Sequence, residues 1–326
     1  MARKKYAPIS FTLAKVFPRR GTDVVWASKA PMPTPRRNLA AVTASNGKIY
    51  AIGGDGLKTD AVIGLRTVEE YDPSANTWIR KASMPVVTWH TAAATSSNGK
   101  IYVIGGMNQS WTMSIADVRE YNPATNKWVT KANMLIASCL LGVAATGNGK
   151  IYAVGGFDVQ QGKYLAVVQR YDTAMDTWTI VKPMPAPRAE LGVARARNGK
   201  IYAIGGMNEQ GIPLDTVEEY DPGTDTWRTR ASLPTPRYCL AAVAASNGKI
   251  YAIGGLLSCA AQSVVEEYTP ATNSWKAKSG MPTPRWSLAA AATSNGRIYA
   301  IGGMSRVSGV IHNFAAVEEG KIPGLF

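Results

Sequence analysis

Hydrophobic and polar positions along this chain repeat one short pattern. An alanine-rich run leads to Asn-Gly, an apolar segment of the Ile-Tyr-Ala-Ile type ends in Gly-Gly, and a Val-Glu-Glu-Tyr segment passes through a polar turn to Trp. The unit recurs about every fifty residues, the mark of a repeat architecture. Its double glycines are Gly53-Gly54, Gly105-Gly106, Gly155-Gly156, Gly205-Gly206, Gly254-Gly255 and Gly302-Gly303.

Each unit predicts four strands. Asn-Gly at Asn46, Asn98, Asn148, Asn198, Asn247 and Asn295 lies between two strand-forming segments and predicts a two-residue hairpin of type I′. A third strand ends in Tyr-Asp-Pro or a variant. Seven residues on from Tyr71, Tyr121, Tyr171, Tyr220 and Tyr268 stand Trp78, Trp128, Trp178, Trp227 and Trp275, across a turn rich in Pro, Asn, Thr and Asp. The tryptophan therefore sits in a fourth strand, and the unit is a four-stranded antiparallel sheet.

Gly-Gly followed by a spaced Tyr and Trp resembles the kelch motif, and the resemblance runs from residue 22 to about 319. It implies an all-β fold, a six-bladed β-propeller with four antiparallel strands per blade, the first strand nearest the axis and Trp and Tyr packed between blades. The ends fit a ring. Residues 24–33 match a fourth strand and its exit, while the last copy stops at Val317-Glu318-Glu319 with Gly320 in place of tyrosine. Pairing 24–30 with 314–319 closes the last blade and hides both sheet edges. The expected organisation is a basic extension over 1–21, a propeller over 22–320 and a short tail over 321–326, with the sixth blade the loosest.

Charge adds a second layer. The net charge is +14, and six of the basic residues (Arg3, Lys4, Lys5, Lys15, Arg19, Arg20) lie in the first twenty positions with no acid among them. No nucleic-acid motif accompanies the charge, so nucleic acid is not an expected partner. No run reaches the roughly 18 apolar residues of a membrane helix, and no secretion signal is legible. The cysteines Cys139, Cys239 and Cys259 are odd in number and lack metal-ligand spacing. A cytoplasmic monomer without metal or cofactor is the expectation.

The segments that lead into each first strand align without gaps, and they supply the candidate site. Their first column reads Arg36, Thr88, Ser138, Arg188, Arg237, Arg285; the next reads Arg37, Trp89, Cys139, Ala189, Tyr238, Trp286; the third reads Asn38, His90, Leu140, Glu190, Cys239, Ser287. In an extended strand the first and third columns share a side, so four arginines would ring the channel mouth. Kelch-like proteins that bind acidic peptides show arginines at matching positions. Arg36, Arg188, Arg237 and Arg285 are thus expected to bind an acidic protein segment or small anion, with Asn38, Trp89, Tyr238, Cys239, Trp286, Ser287 and the loop residue Trp111 alongside. The loops between second and third strands also bring Tyr164, Phe157 and several methionines to that face.

A second reading is a metal-free isomerase, lyase or cyclase resembling the sugar-acid mutarotases, with His90 and Glu190 as the proton carriers. Copper oxidation of the galactose oxidase kind is argued against, because it needs two His, two Tyr and a Cys crosslinked to Tyr, and His90 has no placeable tyrosine. A third reading is weak polyanion binding through the basic extension and a ring formed by Lys48, Lys100, Lys150, Lys200, Lys249 and Arg297 after Asn-Gly.

Overall fold

The computed structural model describes residues 23–58, 61–307 and 310–322. The basic extension over 1–21 lies outside them. Six four-stranded antiparallel sheets form the propeller. Blade one holds Ala40–Thr43, Ile49–Ile52, Val68–Asp72 and Thr77–Arg80 in that order, and blades two to five repeat it. Blade six takes Ala289–Thr293, Arg297–Ile301 and Val317–Lys321 from the end of the chain and Val25–Ser28 from its beginning.

The closing register pairs Val25 with Lys321 and Ser28 with Glu318. This lies further along than the expected 314–319, because the carbonyls of Phe314, Ala315 and Val317 instead accept from the amides of Arg36, Met32 and Lys29. Pairing thus reaches Lys321, inside the stretch assigned to a tail, and Ile322 is buried. The Asn-Gly hairpins also differ from expectation. In blade one the Gly47 amide donates to Ala44 and the Ala44 amide to Lys48, and only Gly47 of the three loop residues has positive φ. That is a type I turn followed by a left-handed glycine, a three-residue loop rather than a two-residue type I′ loop.

The Ile-Tyr-Ala-Ile cores of the second strands are apolar because they lie mid-sheet with a neighbouring blade over each face; Ile49, Tyr50, Ala51 and Ile52 are all fully buried. One latch joins each blade to the one before. The Trp78 indole N–H donates to the Ala30 carbonyl at 2.9 Å, and the Ala30 amide donates to the Asn76 side chain at 2.9 Å. Asn76 has φ 54°, which its short polar side chain tolerates. The same indole bond recurs from Trp128 to Ala82, Trp178 to Ala132, Trp227 to Lys182 and Trp275 to Ala231. Trp26 completes the circle on Ser279, whose amide donates to Asp23 at 2.7 Å.

The arginines of the first column lie inside the blades rather than at the mouth. Arg36, Arg188, Arg237 and Arg285 have side chains at 0% exposure. Their guanidinium groups meet Glu69, Glu218, Glu266 and Glu318 of their own third strands at 3.0, 2.7, 2.5 and 2.7 Å. Each also donates to a second-strand carbonyl, as Arg237 does to Ala252 at 3.1 Å. The two blades without the arginine also lack the acid: Thr88 goes with Arg119, and Ser138 with Gln169. A charge removed from water needs its opposite, so the two columns change together.

Arg237→Ser should therefore strand Glu266 and cost about 3–5 kcal/mol in urea denaturation. Arg237→Ser with Glu266→Gln, which copies blade three, should recover about half of that loss or more. Equal destabilisation of the single and double variants would show that the pair is not the cause.

Candidate functional site

The third column forms the site. Asn38, His90, Leu140, Glu190, Cys239 and Ser287 all have left-handed backbone, with φ between 49 and 57°. The extended geometry assumed from sequence therefore fails at this column, and so does the shared side with the arginines: the chain swivels, buries the first column and turns the third to the axis. Such a conformation costs each side-chain-bearing residue roughly 1–2 kcal/mol. Lateral bonds offset it in five of the six blades, His90 being the exception. The amides of Asn38, Ser287, Cys239, Glu190 and Leu140 donate respectively to the carbonyls of Ser287, Cys239, Glu190, Leu140 and His90, at 2.9 to 3.2 Å.

These residues surround a cavity of about 100 Å³ on the channel axis. Leu39, Thr91, Leu141, Leu191, Leu240 and Leu288, one residue further along each strand, line its floor. Below them runs an alanine- and valine-lined channel of about 300 Å³. The pocket is a shallow polar cup on an apolar collar.

Its polar groups are unequal. Burial raises the Glu190 carboxyl above the usual carboxylate range, only partly opposed by a hydrogen bond from the Cys239 thiol. Glu190 Oε2 has no hydrogen-bond partner among the described residues. Burial, and next the Glu190 charge, push the Cys239 thiol far up, which leaves it protonated and a poor nucleophile. Burial together with the Arg37 charge pushes His90 down to about 4, so its imidazole is neutral near pH 7. Asn38 is committed elsewhere: its amide donates to Asp55 Oδ1 at 2.6 Å, while Arg37 Nε donates to Asp55 Oδ2 at 2.6 Å.

Around the cup, the middle column anchors the loops between second and third strands. Trp89 bridges to Met107, Tyr238 to Leu256 and Trp286 to Met304. Trp89 and Trp286 are buried, which corrects their expected contact with ligand. Trp89 supports Trp111, whose ring centroid lies 3.8 Å away, and Trp111 meets His90 edge-on at 5.6 Å. Trp111 is 39% exposed and stands on the rim with the exposed side chains Leu57, Val62, Met113, Ile212 and Val310. Tyr164 and Tyr238 are close enough to Glu190 for its charge to raise their hydroxyls, after burial as the main cause.

The structure thus brings together Asn38, His90, Glu190, Cys239 and Ser287 at the cup, with Tyr238 and Trp111 beside it, and withdraws Arg36, Arg188, Arg237, Arg285, Trp89 and Trp286. Sequence reasoning missed Asp55. Its signal was present: after Gly-Gly the other blades carry Met107, Phe157, Met207, Leu256 and Met304, so one acid in an apolar column, matched by Arg37 in the column it pairs with, marks an ion pair.

Comparison with known proteins agrees with this architecture. Human Kelch-like protein 35 is 41% identical over 75 residues, covering 23% of this chain and 11% of that protein. N-acetylneuraminate epimerase of Escherichia coli (strain K12) is 29% identical over 89 residues, covering 27% of this chain and 24% of that protein. The solved structure of YjhT superposes with a TM-score of 0.72 at 18% identity, over 88% of this chain and 96% of that one, a likeness of fold. The family model of the Attractin/LZTR1 beta-propeller matches residues 49–263. Repeat, blade topology and that match together place the chain in the Attractin/LZTR1 beta-propeller family of kelch-repeat propellers.

Proposed function

We propose that this propeller binds a segment of a partner protein across the loop face and takes one hydrogen-bond-donating side chain into the cup. The observation that carries the reading is the cup's size beside its rim. A cavity of about 100 Å³ is small against the roughly 300–1,000 Å³ of small-molecule sites, yet it suits a single side chain. Exposed Trp111, Met113 and Ile212 supply the apolar surface that a segment would cover. Glu190 Oε2 supplies an unsatisfied acceptor at the centre.

An acidic segment or small anion loses its basis once the four arginines are buried. The groups around the cup are a carboxyl, a neutral imidazole, a thiol, a hydroxyl and an amide, and they favour an ammonium, guanidinium or amide donor. Catalysis by a metal-free isomerase is a second reading, motivated by the raised Glu190 carboxyl and by the partial likeness to N-acetylneuraminate epimerase. Its discriminating assay is epimerisation of N-acetylneuraminate followed by NMR, where Glu190→Gln would reduce turnover about 10²–10⁴-fold if Glu190 moves the proton.

Two outcomes check the binding reading. Peptides selected by display against the propeller should carry a Lys, Arg, Asn or Gln that Glu190→Ala weakens about tenfold or more, and Trp111→Ala should weaken them similarly. Selection of acidic peptides, or binding that both variants leave intact, would sink it. The second outcome is thermodynamic. Because the folded-state Glu190 value lies above the unfolded one, its contribution to stability is fully present below the unfolded value and disappears as pH rises through the folded value. Glu190→Gln should melt above the wild type at about pH 7, and the gap should close towards about pH 4. A gap independent of pH would mean that Glu190 is not the strained carboxyl.

A further inference from the structure

At the opposite mouth the repeat is broken in one blade only. Where the first strands reach their Asn-Gly loops, matched positions read Thr43, Thr95, Ala145, Arg195, Ala244 and Ala292. Two residues further they read Ser45, Ser97, Gly147, Arg197, Ser246 and Ser294. Blade four alone places a guanidinium at both. Repeats stay alike where they only stack, so a double departure at the axis points to something other than blade packing.

Elsewhere on this face five of the six ring cations are neutralised, the exception being Lys100, whose third strand ends in Asn122 rather than an acid. Lys48, Lys150 and Lys200 pair with Asp72, Asp172 and Asp221, while Lys249 pairs with Glu267 and Arg297 with Glu319. The ring expected to attract polyanions is in this way largely cancelled by its own third strands. Arg195 and Arg197 differ, since both side chains are exposed and neither guanidinium has an ion pair or hydrogen bond among the described residues. The Arg195 guanidinium leans over the turn of blade three, where a Cβ at Gly147 would lie 3.8 Å from its Nη2.

The two arginines line a recess of about 480 Å³ with Ser246 and Ser294, and no carboxylate lines either this recess or the channel above it. Ser246 Oγ is buried there without a hydrogen-bond partner. Two like charges two residues apart, at a concave mouth walled by alanine, focus a positive potential that an anion relieves. Guanidinium forks match oxyanions in geometry as well as charge.

We propose that this mouth is an oxyanion site, in which Arg195 and Arg197 hold a small phosphate, sulfate or carboxylate group beside the serine hydroxyls of the next two blades. It stands apart from the cup at the other end and does not depend on what the cup binds.

The test titrates the full chain with inorganic phosphate, using chloride at matched ionic strength as the reference, and follows the arginine Nε–H signals by NMR. Saturable phosphate binding centred on Arg195 and Arg197 is expected, weakened about tenfold or more in Arg195→Gln/Arg197→Gln. The control Arg228→Gln/Lys276→Gln removes the same charge from exposed outer-strand positions and should leave binding in place. Equal weakening by both double variants would reduce the effect to net charge and overturn the site. So would phosphate shifts no larger than those of chloride, or saturable binding that survives loss of both arginines.

Discussion

A ring of sheets stands or fails on its last interface, and here one indole hydrogen bond repeated around the circle defines that interface. Trp26 makes with Ser279 the bond that Trp78 makes with Ala30, both at 2.9 Å, although the first joins residues more than two hundred positions apart. Each such bond contributes only about 1 kcal/mol net. Their value lies in sameness: every blade presents its predecessor with the same indole bond, and only the tyrosine beside it is missing at the closing blade, where Gly320 stands. Asp23 takes the place that Asn76 holds in the first interface, which keeps the seam chemically equivalent as well.

Closure also dictates where charge can go. Facing blades bury the interior of the sheets, so a guanidinium that enters must bring its carboxylate, as Arg285 brings Glu318. The four entry arginines that make the mouth look anion-seeking are spent there on holding the entry segments to the third strands. The two channel mouths then inherit the residues that stacking does not claim, and these are different at each end.

Blade four carries the contrast along a single strand. Glu190 stands just before one end and Arg195 at the other, at most about 17 Å apart by the rise of an extended chain, with Leu191 in the collar between them. An acid-centred cup under an apolar rim suits a donor side chain from a protein, while an acid-free recess with two arginines suits an oxyanion. The leucine collar separates the two environments, so neither charge cancels the other.

Legibility in the sequence followed period. Double glycines, Asn-Gly turns and the Tyr-to-Trp spacing determined six four-stranded blades, and the orphan strand at Trp26 determined how they close, because those features act within one unit or between identical units. The ion pairs were readable in principle, since Arg36 and Glu69 are both absent in kind from blades two and three. The facing of the third column was not. Extended alternation places Asn38 beside Arg36, whereas a left-handed turn at Asn38, held by the Ser287 carbonyl of the adjoining blade, sends one to the axis and the other into the sheet. In five of the six blades a neighbouring blade supplies the acceptor that holds that turn. The sequence by itself therefore determined the blades and their number, and the tertiary structure decided which of their polar side chains reach water, because burial and backbone handedness at the mouth are set by contacts between blades rather than by any local pattern.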